Sequence, residues 1–176
     1  MKTTSARLLA LVVLALVPRL GAEDAPSLTA PKGPPPPPPE ARQFDFWVGE
    51  WEVTGPKGKV VGQSRIELIL HDRVIQEHWT GAGGFAGSSL NVYDASAKTW
   101  RQFWTDQTGG VLQLTGGIVD GSMVLESTTT ADGTTTIDRI TWTPNADGTV
   151  RQHWEKSTDD RATWTTAFDG LYRRKT

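Results

Sequence analysis

Between about residue 47 and residue 174, hydrophobic and polar side chains alternate in short runs that are separated by turn sequences. Alternation with a period of two is typical of a strand with one buried and one solvated face. No apolar stripe with helical spacing extends beyond two turns in this region. The pattern predicts an all-β domain of about ten strands, near residues 47–54, 60–70, 74–81, 87–93, 99–106, 111–116, 122–129, 134–143, 149–157 and 164–174.

The segments between these strands are short and rich in turn-forming residues. Asp120-Gly121, Asp132-Gly133 and Asp147-Gly148 each separate two alternating runs, and the Asp-Gly pair is a strong signal for a tight hairpin. Hairpins join antiparallel neighbours. Ten consecutive antiparallel strands are most simply closed into a single up-and-down β-barrel, which leaves no exposed edge. An open two-sheet sandwich is the alternative.

Alternation also predicts which side chains face the interior. The apolar members of this set are Trp47, Trp51, Val53, Ile66, Leu68, Leu70, Leu90, Val92, Leu112, Leu114, Met123, Leu125, Ile140, Trp142, Phe168 and Tyr172. The third strand is ambiguous, because Ile75, Glu77 and Trp79 share one face and either face of this strand can be the buried one.

The motif Arg-Gln-x-Trp occurs twice, at residues 101–104 and 151–154. In the second copy, Arg151, His153 and Glu155 share one face, which belongs in water because it is charged. Gln152 and Trp154 lie on the opposite face and are therefore predicted to point inward. By the same rule, the first copy directs Gln102 and Trp104 into the barrel, and two glutamines among large aromatic side chains make an unusual interior.

An inward polar trio of Glu77, Gln102 and Gln152 fits a ligand pocket that is mostly apolar and has a few convergent polar groups. The alternative is a buried hydrogen-bond network that ties the strands together in a filled barrel. The candidate ligand-binding residues are Trp51, Glu77, Trp79, Gln102, Trp104, Gln152, Trp154 and Tyr172. Binding of a small, largely apolar ligand is the leading hypothesis, ahead of a structural or interaction domain.

Catalytic and metal-binding signatures are weak in this sequence. The chain has no cysteine, which excludes disulfides, thiolate metal sites and cysteine nucleophiles. The three histidines, His71, His78 and His153, belong to no recognisable triad or zinc motif. A lone histidine can ligate haem, but no cofactor and no metal are expected. We expect a non-enzymatic protein, and the alternative is an enzyme that uses Glu77 as an acid or base.

The amino-terminal part of the chain has a different composition. Residues 1–22 combine basic residues, a ten-residue apolar run and a small-residue end, which predicts a cleaved signal peptide and a periplasmic or secreted protein. That run is about half the length needed to span a bilayer, so stable membrane insertion is not expected. Residues 23–42 contain the proline run 34–39 and predict a disordered linker, followed by the barrel domain at residues 43–176.

Net charge argues against one class of partner. Removal of residues 1–22 leaves 15 basic and 20 acidic residues, a net charge of −5. A protein with this charge and no basic run is a poor match for nucleic acid or an anionic membrane.

The segment Ser157–Trp164 is similar to the Asp-box hairpin Ser-x-Asp-x-Gly-x-Thr-Trp of sialidases and other β proteins, with Arg161 in place of the glycine. The Ser and Asp side chains of such a hairpin bond to the turn backbone, so its role is structural. We expect this hairpin to join the last two strands.

Residues 44–174 resemble a bacterial family that is known only as domain-of-unknown-function family 1579. The shared residues are Phe44–Trp51, Glu77-His78-Trp79, Gly87–Asp94, Trp100–Trp104, Arg151–Trp154, Ser157–Trp164 and Tyr172-Arg173-Arg174. Arg161 departs from the family's glycine-rich turn. The resemblance implies a calycin-like barrel similar to lipocalins and fatty-acid-binding proteins, and it implies no reaction, ligand or catalytic residue.

Overall fold

The computed structural model describes residues 33–175, and residues from Pro36 onward form one compact unit. The predicted signal peptide and the first ten residues of the predicted linker lie outside the described residues. Two short 3₁₀ turns, Pro39–Arg42 and Asp45–Trp47, precede the strands.

Ten strands make up the rest of the unit, and each begins and ends within about three residues of its predicted position. They are β1 (Gly49–Thr54), β2 (Val60–Ile69), β3 (Val74–Gly81), β4 (Ala86–Asp94), β5 (Thr99–Asp106), β6 (Val111–Val119), β7 (Ser122–Ala131), β8 (Thr134–Pro144), β9 (Val150–Ser157) and β10 (Thr165–Arg174).

The strands form one closed antiparallel barrel. Each strand pairs with the next along the chain, and β1 also pairs with β10, where Val53 lies opposite Tyr172. At the β7–β8 turn, Asp132 and Gly133 both have a positive φ, as a type I′ hairpin requires. The predicted up-and-down barrel is confirmed, and the sandwich alternative is wrong because no sheet edge is left open.

Alternation correctly predicts most of the interior. In β1, Trp51 and Val53 are buried while Glu50 and Glu52 are exposed. The ambiguity of the third strand is resolved in favour of Glu77, which is buried together with Ile75. The barrel therefore contains a carboxyl group.

Three of the predicted interior positions, Leu70, Leu90 and Val92, are wrong. Leu70 is 68% exposed because it lies in the β2–β3 turn with a φ of +52° and does not continue the strand. Leu90 is 44% exposed and Val92 shares its face, whereas Ser89 and Asn91 are buried. The reason is pairing, since residues directly opposite in an antiparallel sheet share a face and Asn91 lies opposite both Ile75 and Gln102.

The amino-terminal segment is more ordered than the sequence suggests. Pro39 occupies the first position of a 3₁₀ turn, where the missing N–H costs nothing, and Ala41 is buried. The last four residues of the predicted linker, Pro39–Arg42, therefore form a 3₁₀ turn. Trp47 is buried as predicted, but it belongs to the second 3₁₀ turn and not to β1.

The residues just before β1 fill one end of the barrel. We call residues 44–47 the amino-terminal plug. Phe44 stacks on Trp47 with ring centroids 5.0 Å apart and meets Trp142 edge-on at 5.1 Å. Trp100 Nε1 donates to Gln43 Oε1 at 3.2 Å, which fastens the segment to β5. The packed end is the one at which β1, β5 and β9 begin.

The Asp-box segment forms the β9–β10 turn and makes the expected bonds to its own backbone. Ser157 Oγ accepts from Arg161 N at 2.9 Å, and Asp159 Oδ1 accepts from Thr163 N at 2.9 Å. Arg161 adopts a φ of +72°, a left-handed conformation that explains why related hairpins carry glycine there. The hairpin therefore forms with an arginine at this position.

Candidate functional site

A cavity of about 220 Å³ lies inside the barrel toward the end opposite the plug, where β3, β5 and β9 end. Its polar lining residues are Glu77, Gln102, Gln152 and Tyr172. Its apolar lining residues are Trp79, Phe85, Trp104, Leu112, Ile140, Trp154, Ala167 and Phe168. Two of these lining residues, Phe85 in the β3–β4 turn and Ala167, are also exposed to solvent. The cavity therefore opens to solvent between them.

Three strands contribute to the cavity in the same way. Glu77 on β3, Gln102 on β5 and Gln152 on β9 are each followed two residues later by a tryptophan that also lines the cavity. A spacing of two keeps both residues on one face of a strand. Each of these strands runs toward the open end, so the indoles lie nearer the mouth and the polar groups lie deeper.

The polar groups at the base of the cavity belong to a directional hydrogen-bond network. Glu77 accepts from Ser64 Oγ at Oε1 and from Ser89 Oγ at Oε2, both at 3.1 Å. Ser89 Oγ accepts from Asn91 Nδ2 at 3.0 Å, and Asn91 Oδ1 accepts from Gln102 Nε2 at 2.7 Å. All five side chains are buried, so the network satisfies groups that would otherwise be costly to remove from water.

One backbone carbonyl sets the direction of this network. Asn91 Nδ2 also donates to the carbonyl oxygen of Ile75 at 3.1 Å, and a carbonyl can only accept. Asn91 Oδ1 therefore faces Gln102 and accepts a hydrogen bond from the Gln102 NH₂ group. The Gln102 carbonyl oxygen is thus an acceptor at the cavity, and the Ser89 hydroxyl hydrogen is directed to Glu77.

Gln152 and Tyr172 form the second polar pair. Tyr172 Oη donates to Gln152 Oε1 at 2.5 Å, which leaves Gln152 Nε2 as a donor. Tyr172 also packs against Trp47 of the plug at 6.1 Å and against Trp79 of the cavity at 6.5 Å. Its ring therefore separates the packed end of the barrel from the open end.

Burial dominates the ionisation of Glu77. Desolvation raises the pKa of its carboxyl to about 7, against the lowering effect of the hydrogen bonds from Ser64 and Ser89. Burial, followed by the nearby charge of Glu77, holds the pKa of Tyr172 well above its ordinary value of 10. The cavity therefore contains one group that changes charge near neutral pH and one that stays neutral.

Glycines make room for two of the cavity indoles. A Cβ on Gly87 would lie 2.3 Å from the Trp104 ring, and one on Gly62 would lie 2.5 Å from the Trp79 ring. Both distances are shorter than any real Cβ contact, so each ring lies directly on the backbone of a neighbouring strand. Because glycine has no side chain, these positions leave room for the two indoles to pack against the barrel wall.

The third indole is held by a hydrogen bond at the mouth. Trp154 Nε1 donates to Asp138 Oδ1 at 2.6 Å, and the Lys156 ammonium lies 3.4 Å from the same carboxylate oxygen. Lys156 Nζ is also 4.9 Å from the Trp154 ring centroid. The Lys156 ammonium therefore balances the negative charge of Asp138.

Seven of the eight predicted site residues line the cavity, and Trp51 does not. Trp51 is buried in the packed end, where its Nε1 donates to the carbonyl oxygen of Trp47 at 2.8 Å and the Arg174 guanidinium stacks on its ring at 4.5 Å. Alternation along β1 predicts its inward direction correctly but carries no information on its depth along the barrel.

Sequence reasoning missed Ser64, Ser89 and Asn91, which complete the polar network. Assigning the apolar residues of β4 to the interior places Leu90 inside and places Ser89 and Asn91 outside. Cross-strand pairing is the signal that identifies Ser89 and Asn91, since β4 lies between two strands with inward polar residues.

Residues 33–175 include no group of three or more His, Cys, Asp or Glu side chains that could hold a metal ion. In the same part of the chain, no helix is long and apolar enough to cross a membrane. Searches for related proteins found no family model that matches the chain and no curated protein that matches it.

Proposed function

We propose that this barrel binds a small, largely apolar molecule in the cavity opposite the plug. The observation that carries the proposal is the lining, in which eight apolar residues surround four polar residues that converge at the base. Pockets for small molecules have this composition. A filled barrel would have no such space, and the closed calycin-like architecture is one that houses ligands.

The size of the cavity limits the ligand. An engineered protein cavity of about 150 Å³ accommodates benzene, so 220 Å³ suits a molecule about the size of a bicyclic aromatic compound. The indole walls of Trp79, Trp104 and Trp154 favour a flat ring system over a long alkyl chain. We further propose that binding takes place outside the cytoplasm, on the basis of the signal-like residues 1–22, and that the chain is related to the family it resembles.

Calorimetric titration with naphthalene-sized probes tests the proposal. The wild-type protein should bind such a probe, and Ala167→Phe, which adds a ring at the mouth, should weaken binding by about tenfold or more. Ala97→Phe is the matched control, because Ala97 is exposed in the β4–β5 turn at the other end of the barrel. Failure of the wild-type protein to bind any probe of this size would contradict the proposal.

Acid–base catalysis is a second candidate, and it is favoured by the pKa of about 7 for Glu77 at the wall of the cavity. A general acid or base works best when its pKa lies near the working pH. If the protein turns over an aromatic ester or ketone, Glu77→Gln should abolish that turnover. If binding occurs without turnover, the binding function stands alone.

A further inference from the structure

The polar atoms that remain available in the cavity are mainly hydrogen-bond acceptors. The Glu77 carboxylate has about four acceptor positions, and the serines occupy two of them. Gln102 Oε1 is a further acceptor, because the amide nitrogen of Gln102 is committed to Asn91. Among the four polar lining residues, the Gln152 amide nitrogen is the remaining donor, since Gln152 Oε1 already accepts from Tyr172.

No lining residue among residues 33–175 supplies a positive charge to balance Glu77. Lys156 lies over the Trp154 ring, but it does not line the cavity and it is paired with Asp138 at 3.4 Å. Buried carboxylates in proteins are ordinarily paired with a cation. An ionised Glu77 therefore lacks its counter-charge in the ligand-free protein.

The aromatic walls point to the same ligand chemistry. Trp79, Trp104 and Trp154 line the cavity on the mouth side of the polar residues. Indole rings attract cations more strongly than other aromatic side chains, and the interaction strengthens when water is excluded. The position of Lys156 over Trp154 shows that this indole already accepts a cation on one side.

We propose, on the basis of the binding function argued above, that the ligand is an aromatic amine whose ammonium group pairs with the Glu77 carboxylate. An ammonium offers three donors and no acceptor, which complements the acceptors of Glu77 and Gln102. The ring system fills the apolar part of the cavity nearer the mouth. A carboxylate ligand would face an unpaired carboxyl and is disfavoured by like-charge repulsion.

This assignment makes binding depend on pH in a defined direction. The groups that face Glu77 are Ser64 from β2, Ser89 from β4 and Tyr172 from β10, and Tyr172 stays neutral because its pKa lies well above 10. In the free protein the pKa of Glu77 is about 7. An ammonium ligand must displace the Glu77 proton at lower pH, so its affinity rises as the pH increases toward 8 and then levels off.

A pair of nearly isosteric probes separates this inference from the proposed function. Titration calorimetry with 1-naphthylmethylamine and with 1-naphthalenemethanol compares an ammonium and a hydroxyl on the same ring system. The amine should bind about tenfold to a hundredfold more tightly at pH 8, the range expected for a charged hydrogen bond. Glu77→Gln should remove most of that difference, while the exposed control Glu52→Gln should leave the difference unchanged.

Each outcome of the titrations has a defined meaning. If neither probe binds, the proposed function fails and this inference fails with it. If the alcohol binds as tightly as the amine, or if Glu77→Gln keeps the preference for the amine, the cavity binds ligands but the inference is overturned. The pH profile of the wild-type protein is an independent check that does not depend on the folding of a variant. Amine affinity that is constant from pH 5.5 to 8 would overturn the inference.

Discussion

Within residues 33–175 no cation lies beside the buried Glu77 carboxyl, and this makes the stability of the barrel depend on pH. In the unfolded chain its carboxyl ionises near the ordinary pKa of 4.5, whereas in the folded protein the pKa is about 7. A raised folded-state pKa contributes stability that is fully present below pH 4.5 and is lost as the pH rises through 7. We expect this loss to amount to about 3 kcal/mol of unfolding free energy between pH 4.5 and pH 8.

Urea unfolding of the wild-type protein and of Glu77→Gln at several pH values measures this contribution. The glutamine keeps the shape of the side chain but cannot ionise. Relative to the wild type, the variant should therefore gain stability as the pH increases from about 5 to 8. Parallel stability curves for the two proteins would show that Glu77 does not titrate in the way its burial requires.

The two glutamines of the repeated motif are expected to differ in their structural importance. Gln102 Nε2 satisfies Asn91 Oδ1, which is completely buried. Gln102→Leu leaves that oxygen without a partner and should lower the unfolding free energy by about 1–3 kcal/mol. Gln152 bonds to Tyr172 Oη at the cavity, where water can replace it, so Gln152→Leu should cost less.

Thermal denaturation of the two leucine variants under one set of conditions tests this difference. Each substitution removes the same amide group, so each variant serves as the control for the other. Equal losses of stability would contradict the argument that water in the cavity can replace Gln152 as the partner of Tyr172 but cannot reach Asn91.

At the scale of single residues, the sequence predicts direction well and depth poorly. Alternation places Gln102 and Gln152 inside and puts Glu77 on the same face as Trp79, because strand geometry fixes the face of each side chain. It also places Trp51 inside, but it cannot report that Trp51 lies in the packed end. Position along the barrel axis depends on strand register, which is set by pairing across the whole sheet.

At the scale of strands, a glycine on β4 makes room for a large side chain on β5. The Trp104 ring lies over Gly87 of β4, where an added Cβ would meet it at 2.3 Å and the Thr105 carbonyl oxygen at 3.0 Å. Gly87→Ala must therefore push the indole into the cavity. We expect a loss of about 1–3 kcal/mol in unfolding free energy, the usual cost of overpacking, together with weaker binding of naphthyl probes.

Gly83→Ala is the matched control for this substitution. Gly83 lies in the β3–β4 turn, where an added Cβ would have no heavy atom within 4 Å and where φ is not in the positive range that would strain alanine. Near-normal stability and binding are expected for this variant. Chemical denaturation and calorimetric titration of both variants provide the comparison, and a Gly87→Ala protein that binds normally would contradict the packing argument.

The limits of the strands follow closely from the sequence because turn chemistry is local. Asp-Gly pairs and glycine-rich turns mark the ends of β6, β7 and β8. The largest error is in β6, which is predicted to end at residue 116 but continues to Val119. Gly116 and Gly117 suggest a turn, yet Gly116 remains in the ladder, where a Cβ would lie 2.1 Å from the Val124 carbonyl oxygen.

At the scale of the whole molecule, barrel closure is predictable from the sequence and the amino-terminal plug is not. Closure follows from the number of alternating strands and their short connections. The plug depends on how a non-repetitive segment, residues 39–47, packs against one end of the barrel. The segment carries two phenylalanines and one tryptophan. Its sequence has no periodicity that would indicate a buried position.

The division of the barrel into a packed end and an open end predicts that stability and ligand binding can be changed separately. Phe44 is completely buried among Trp47, Trp100 and Trp142. Phe44→Ala should lower the unfolding free energy by about 3–5 kcal/mol, since it removes a core aromatic ring and leaves a void. The folded fraction should still bind naphthyl probes with near-normal affinity, because Phe44 does not line the cavity.

Phe85→Ala is the reciprocal variant. Phe85 is 41% exposed at the mouth of the cavity, so its removal should change the unfolding free energy by less than about 1 kcal/mol. Because the variant lacks one aromatic wall of the site, it should bind naphthyl probes more weakly than the wild type. Urea denaturation and calorimetric titration of both variants measure the two properties independently. Loss of binding in folded Phe44→Ala, or unchanged binding in Phe85→Ala, would show that the ligand occupies some other part of the protein.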